Sequence, residues 1–168
     1  MEVYKMSFTL NLEKTMSRLQ KGAFLTVKSG EKTNTMTIGW GYIGIMWNKP
    51  FFMVMVRPGR YTNELLENSD NFTVSVPFEN NLNKELGICG VKSGRDINKG
   101  EIVEFIPSKS VESPIIKGCN MHYECKIKYI QKMDGEAFPK DMEEKWYPEK
   151  DYHFLYYGEI IEAYETSV

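Results

Sequence analysis

Phe51-Phe52-Met53-Val54-Met55-Val56 is the longest unbroken apolar run in the chain, and no polar residue interrupts it. A strand with one wet face alternates apolar and polar residues, whereas a strand buried on both faces does not. Six residues also fall far short of the roughly 20 that a membrane-spanning helix needs. The run therefore predicts a strand in a barrel wall that is covered on its outside. Immediately before it, the sequence from Thr35 is strand-like, broken by Gly39, Gly41 and Gly44 and by a turn at Asn48-Lys49-Pro50. Immediately after it, Arg57-Pro58-Gly59-Arg60 ends the strand. Thr62 is the predicted N-cap of a helix through Leu65 and Leu66, with Glu64 placed to complement the helix dipole.

Further out, Asn11 is the predicted cap of a helix to about Gln20, with Leu12, Met16 and Leu19 on one face and Gly22 as its stop. Ala23 to Val27, Phe72 to Val76, Asn120 to Ile130 and Tyr152 to Tyr164 read as strands, and Leu82 to Gly87 as a short helix. No long helices alternate with these strands, so a doubly wound sheet is excluded. The expected fold is mainly β with inserted helices, an antiparallel barrel. Neither a repeat nor a Pro/Gly/Ser linker divides residues 1–168, which predicts a single domain.

The 168 residues carry 21 Lys and Arg against 23 Asp and Glu, a formal charge of −2. That balance offers no global attraction to nucleic acid or to an anionic membrane, so neither is an expected partner and any anion site must be local. Glu2 and Lys5 mark a polar start with no targeting segment. Cys89, Cys119 and Cys125 are odd in number and form no Cys-x-x-Cys pair, which points to reduced thiols and a cytoplasmic location. Strand alternation would put Cys119 and Cys125 on one face about 20 Å apart, with His122 on the other, so they cannot share a zinc ion and no metal site is expected. There is no Gly-x-Ser-x-Gly elbow to support a hydrolase.

Gly39-Trp40-Gly41-Tyr42-Ile43-Gly44 matches the Gly-x-Gly-x-x-Gly pattern of dinucleotide-binding turns, but no helix can follow before Lys49-Pro50. These glycines instead suit a bending barrel strand, or a bare wall for a flat ligand. Two separated segments carry anion-binding chemistry. Arg57, Tyr61 and Thr62 bring a guanidinium and two hydroxyls to the start of a helix, and Gly90-Val91-Lys92-Ser93-Gly94-Arg95 can form a small-residue nest flanked by cations. Together they suggest a phosphate.

The ordered blocks Asn34-Thr35-Met36-Thr37-Ile38-Gly39-Trp40, Lys49-Pro50, Arg57 to Thr62, Phe72 to Pro77, Cys89 to Asp96 and His153 with Gly158-Glu159-Ile160 resemble those of the flavin reductase-like proteins. The resemblance runs from about Ala23 to Ala163. It implies the FMN-binding split barrel, a six-stranded antiparallel Greek-key barrel that forms homodimers with one FMN per subunit near their interface. By the same resemblance, Asn34, Thr35, Met36, Thr37 and Trp40 would contact the isoalloxazine and ribityl groups. Arg57, Tyr61 and Thr62 would hold the phosphate, Ser93 and Gly94 would close the site, and Lys99 would assist. His153 would lie near the reacting face.

The function so implied is an FMN-dependent NAD(P)H:flavin oxidoreductase, or a flavoredoxin that passes electrons through bound FMN to a flavin, a small molecule or a redox protein. In such a protein the cofactor supplies the hydride chemistry, and the chain binds and tunes it. The alternatives are a flavin-binding carrier or sensor without turnover, and a barrel that has lost its flavin and works through partners alone.

Overall fold

The computed structural model describes residues 7–168, and the polar start read at Glu2 and Lys5 lies outside them. One sheet of seven antiparallel strands organises the chain: β1 (Ala23–Ser29), β2 (Lys32–Ile38), β3 (Gly41–Met46), β4 (Lys49–Val56), β5 (Asn71–Val76), β8 (Met121–Lys132) and β9 (Phe154–Glu165), in the order β2-β1-β5-β8-β9-β4-β3. The resemblance implied six strands, and the sheet has one more. β6 (Phe105–Ile106) and β7 (Ile115–Ile116) pair separately.

The two edge strands are consecutive in the chain. From Ile38 to Gly41 the backbone can reach about 10 Å, whereas the edges of a flat seven-stranded sheet would be about 29 Å apart. The sheet must therefore curl until β2 and β3 face each other, while no ladder joins them. This is a split barrel.

The run from Phe51 to Val56 explains both layers of its wall. Phe52, Val54 and Val56 point into the barrel, among Leu25, Phe72, Val74, Tyr123 and Tyr156. Phe51 and Met53 point outward and cluster with Tyr157. On the other side of the barrel, α3 (Asn83–Val91) packs over Phe24, and β7 lies over β5 with the Ile116 amide donating to Ser75 Oγ at 3.1 Å, which is why every residue of β5 is buried. Gly41 (φ +153°) lets β3 lie against β4, since a Cβ there would stand 2.5 Å from the Met53 carbonyl oxygen.

Several local expectations change. Asn11 precedes α1 (Leu12–Leu19) in a left-handed conformation and makes no cap, because its side chain reaches Glu165 instead. α2 (Tyr61–Leu66) starts at Tyr61 with Arg60 as its cap residue, so Thr62 lies inside the helix. The β3–β4 turn is Trp47-Asn48, both with positive φ, the twist a two-residue hairpin requires. α3 extends to Val91 and absorbs Gly90 and Val91, the first two of the six residues of the nest expected at 90–95. β8 begins only at Met121, so alternation never reaches Cys119: that thiol packs in the outer cluster and Cys125 in the barrel core. α4 (Lys140–Trp146) has no counterpart among the expected elements. No helix among the described residues is long and apolar enough to cross a membrane.

Candidate functional site

At the open seam of the barrel, the end of β2 faces the end of β4 across a cleft of two lobes that share Met36 and Arg60. The first lobe, about 200 Å³, is lined by Met36, Thr37, Gly39, Trp40, Met55, Arg57 and His153. The second, about 140 Å³, is lined by Asn34, Tyr61, Thr62, Cys89, Lys92, Ser93, Gly94, Arg95 and Lys99.

The second lobe is rich in hydrogen-bond donors. Lys99 is only 4% exposed, yet its Nζ donates to the Thr35 carbonyl at 2.7 Å and the Cys89 carbonyl at 3.0 Å. No carboxylate among the described residues forms an ion pair with it. Burial accordingly pushes its pKa down from the usual lysine value. Buried charges are normally paired, so this ammonium sits at the floor of the lobe with its charge unmatched. Arg60, Lys92 and Arg95 add three more cations, against one carboxylate, Glu64, paired with Arg95 at 3.1 Å.

The wall of this lobe is assembled across three elements. Asn34 on β2 donates from Nδ2 to Thr62 Oγ1 on α2 at 2.9 Å, both side chains being buried. Gly94 closes on them so tightly that a Cβ would stand 2.1 Å from Asn34 Oδ1 and 2.8 Å from the Tyr61 ring. Ser93 turns its hydroxyl to the Arg95 amide at 3.1 Å, and the Arg95 guanidinium lies 5.2 Å from the centre of the Tyr61 ring. Thr35 turns away from the cleft: its hydroxyl donates to the Leu25 carbonyl, and only its own carbonyl, holding Lys99, serves the lobe.

Arg57 lines the first lobe, whereas Tyr61 and Thr62 line the second. Its guanidinium is held by Asp151 Oδ1 at 2.8 Å and by the Trp146 carbonyl at 3.0 Å, and it lies 4.9 Å from the Tyr147 ring centre. The residue bordering both lobes is Arg60, which donates to the Gly90 carbonyl at 3.1 Å. The sequence reading places Arg60 at the end of the β4 segment but gives it no role. Its place three residues beyond Arg57, at the cap position of α2, was the available signal.

His153 is 6% exposed and lines the first lobe, with Trp40 beside it at 5.5 Å between ring centres. Its Nδ1 is hydrogen-bonded to the Tyr147 hydroxyl at 2.6 Å. Desolvation first, and the Arg57 charge second, lower its pKa to about 4, so the ring is neutral at physiological pH. Trp146, Tyr147 and Asp151 were not foreseen at all. They form a strap that holds Arg57, and its Trp146 ring meets Trp40 edge-on at 5.2 Å.

The arrangement thus joins a slot floored by Met36 and bare backbone at Gly39 to a cationic, donor-rich pocket. The family model described as "Flavin reductase like domain" matches residues 16–167. An uncharacterized protein of Archaeoglobus fulgidus is 32% identical over 118 residues, which is 68% of this chain, and the chain spans only 66% of the length of that curated relative. Among solved structures, flavoredoxin from Methanosarcina acetivorans is 25% identical with a TM-score of 0.68, over 87% of this chain and 68% of that one. An FMN-binding protein from Thermus thermophilus, with bound 1-cyclohex-2-enone, is 23% identical with a TM-score of 0.68, over 86% and 69% of the two chains. The NADH:FAD oxidoreductase of Streptomyces globisporus C-1027 is 19% identical with a TM-score of 0.68, over 86% and 75%.

Proposed function

The chain belongs to the flavin reductase-like domain family, and from that membership we propose that it binds FMN in the two-lobed cleft and acts as an FMN-dependent oxidoreductase with NAD(P)H as donor. The observation that carries the proposal is the unmatched ammonium of Lys99 on the floor of the second lobe, which a phosphate would neutralise. The residues fit such a group. Arg60, Lys92 and Lys99 supply charge, and Ser93 and Tyr61 supply hydroxyls. Gly94 leaves no side chain where the wall closes. Met36, Thr37 and Gly39 offer the first lobe as the place for a flat ring.

When bound, FMN supplies the hydride and electron transfer itself. The chain's own residues bind, orient and screen. Trp40 and the strap at Trp146 cover one side of the first lobe. His153, neutral at pH 7, offers a hydrogen-bonding ring beside Arg57 without adding a second positive charge. The Asn34–Thr62 bond fixes β2 against α2, so the two lobes keep their relative position.

A second copy of the chain is part of this proposal. Tyr42 on the outer face of β3 and Trp47 in the β3–β4 turn are 49% and 65% exposed, beside the outward Phe51 cluster, and an apolar face of that kind calls for cover. Sedimentation of the full chain is expected to give a dimer.

The deciding experiment titrates the purified chain with FMN while following its visible absorption, then supplies NADH or NADPH with free flavin. Saturable binding with nicotinamide oxidation supports the oxidoreductase. Saturable binding without oxidation of either nucleotide supports a flavin carrier, and no binding overturns the assignment.

A further inference from the structure

We propose that the groove between α1 and α3 is a second anion site, built around Arg18 and separate from the two-lobed cleft, and that it takes a phosphate group. Arg18 lies in the last turn of α1 and is 6% exposed. Its Nη1 donates to Asn80 Oδ1 at 3.1 Å and its Nη2 to Asn83 Oδ1 at 2.7 Å, both neutral amide oxygens. No carboxylate among the described residues forms an ion pair with it. Its Nε–H is the one buried side-chain nitrogen or oxygen among the described residues that has no partner. The carbonyl end of α1 offers the guanidinium partial negative charge, but that does not give the Nε–H an acceptor.

The groove beside it has a volume of about 640 Å³ and is lined by Lys21, Asn80, Asn83, Gly87 and Val91 as well as Arg18, with no acidic residue. Each asparagine Oδ1 already accepts a bond from Arg18, and the two NH2 groups add further donors to the groove. Guanidinium, ammonium and two amide NH2 groups make a set of donors alone, which matches a group that only accepts. A phosphate has the charge and enough oxygens to engage several of these donors together. The groove touches the first lobe of the cleft through Thr37 and the second through Val91. The phosphate can thus come from a nucleotide that reaches toward the cleft or from free inorganic phosphate.

The test is a titration of the full chain, labelled with nitrogen-15, with inorganic phosphate at constant ionic strength, and it needs no flavin. The Arg18 Nε–Hε signal and the Gly87 amide are expected to shift saturably. Affinity should fall at least fivefold in Lys21→Ala, where an exposed side chain is removed and the fold stays intact, and the Gly87 shift should vanish in Arg18→Gln. A parallel titration with ADP identifies the source: at least tenfold tighter binding at the same signals names a nucleotide, and equal binding names free phosphate. If the groove signals stay fixed while those of Ser93 and Gly94 move, or if chloride moves them equally, the proposal is overturned even if the flavin assignment stands.

Discussion

Lys99 and His153 show how burial alone sets the chemistry of a side chain. Lys99 is held by two carbonyls 64 and 10 residues away in sequence, and its unmatched charge favours an anionic ligand at the expense of the empty protein. Hydrogen bonds to charged groups contribute about 1.5 to 3 kcal/mol, so Lys99→Met should weaken FMN binding at least tenfold in a fluorescence titration. The same substitution should leave the unfolding midpoint of the flavin-free chain equal or higher, because it removes a desolvated charge. His153 should titrate with a midpoint near pH 4 by NMR, so a pH–rate profile between 6 and 8 should show no inflection from its ring. The sequence put both residues forward only through the family resemblance, and Lys99 lies beyond the block that ends at Asp96. Nothing local marks Lys99, which sits between Asn98 and Gly100, as buried; its environment comes from β2 and α3.

The β-strands were readable because their signals are local. Phe51 to Val56 announces burial on both faces, and all of it but Met55 is buried. Phe72 to Val76 was legible as a strand, but its Thr73 and Ser75 are buried only because Pro114 and Ile116 lie over them, which the alternating pattern does not announce. α4 escaped for the opposite reason. Lys140–Trp146 carries charge along most of its length, buries none of its own residues and begins after Pro139, so no apolar stripe distinguishes it from a loop. What makes this stretch matter is long-range: the strap that follows grips Arg57, 94 residues away from Asp151. Removing that grip in Arg57→Ala should speed hydrogen exchange from Trp146 to Asp151. It should also raise the His153 midpoint above 4, because the Arg57 charge is one of the causes that depress it. An unchanged midpoint would show that desolvation alone governs this ring.

For the whole molecule, two buried histidines tie stability to pH. His122 is fully buried between Ser75 and Thr166, and its ring nitrogens meet those hydroxyls at 3.0 Å each. Burial lowers its pKa to about 4, as it does for His153. Unfolded histidines take a proton below about 6.5, whereas these folded ones resist until about pH 4. The stability they lend is therefore complete above pH 6.5 and is lost as the pH falls from 6.5 to 4, by up to about 3 kcal/mol for each ring. Urea midpoints at pH 7 and pH 4.5 measure the loss, and His122→Gln should remove about half of it. The barrel's closure has a further consequence. Only the peptide through Gly39 and Trp40 crosses between the sheet's two edges, and those residues also line the cleft. A circular permutant opened at that peptide would keep every ladder bond of the sheet, yet the width of the cleft would then rest on side-chain bonds such as Asn34–Thr62 and Arg60–Gly90, with no covalent tie between the two edges. Such a permutant would be folded and poor at retaining any ligand, which would separate the cost of building the scaffold from the cost of keeping its mouth shut.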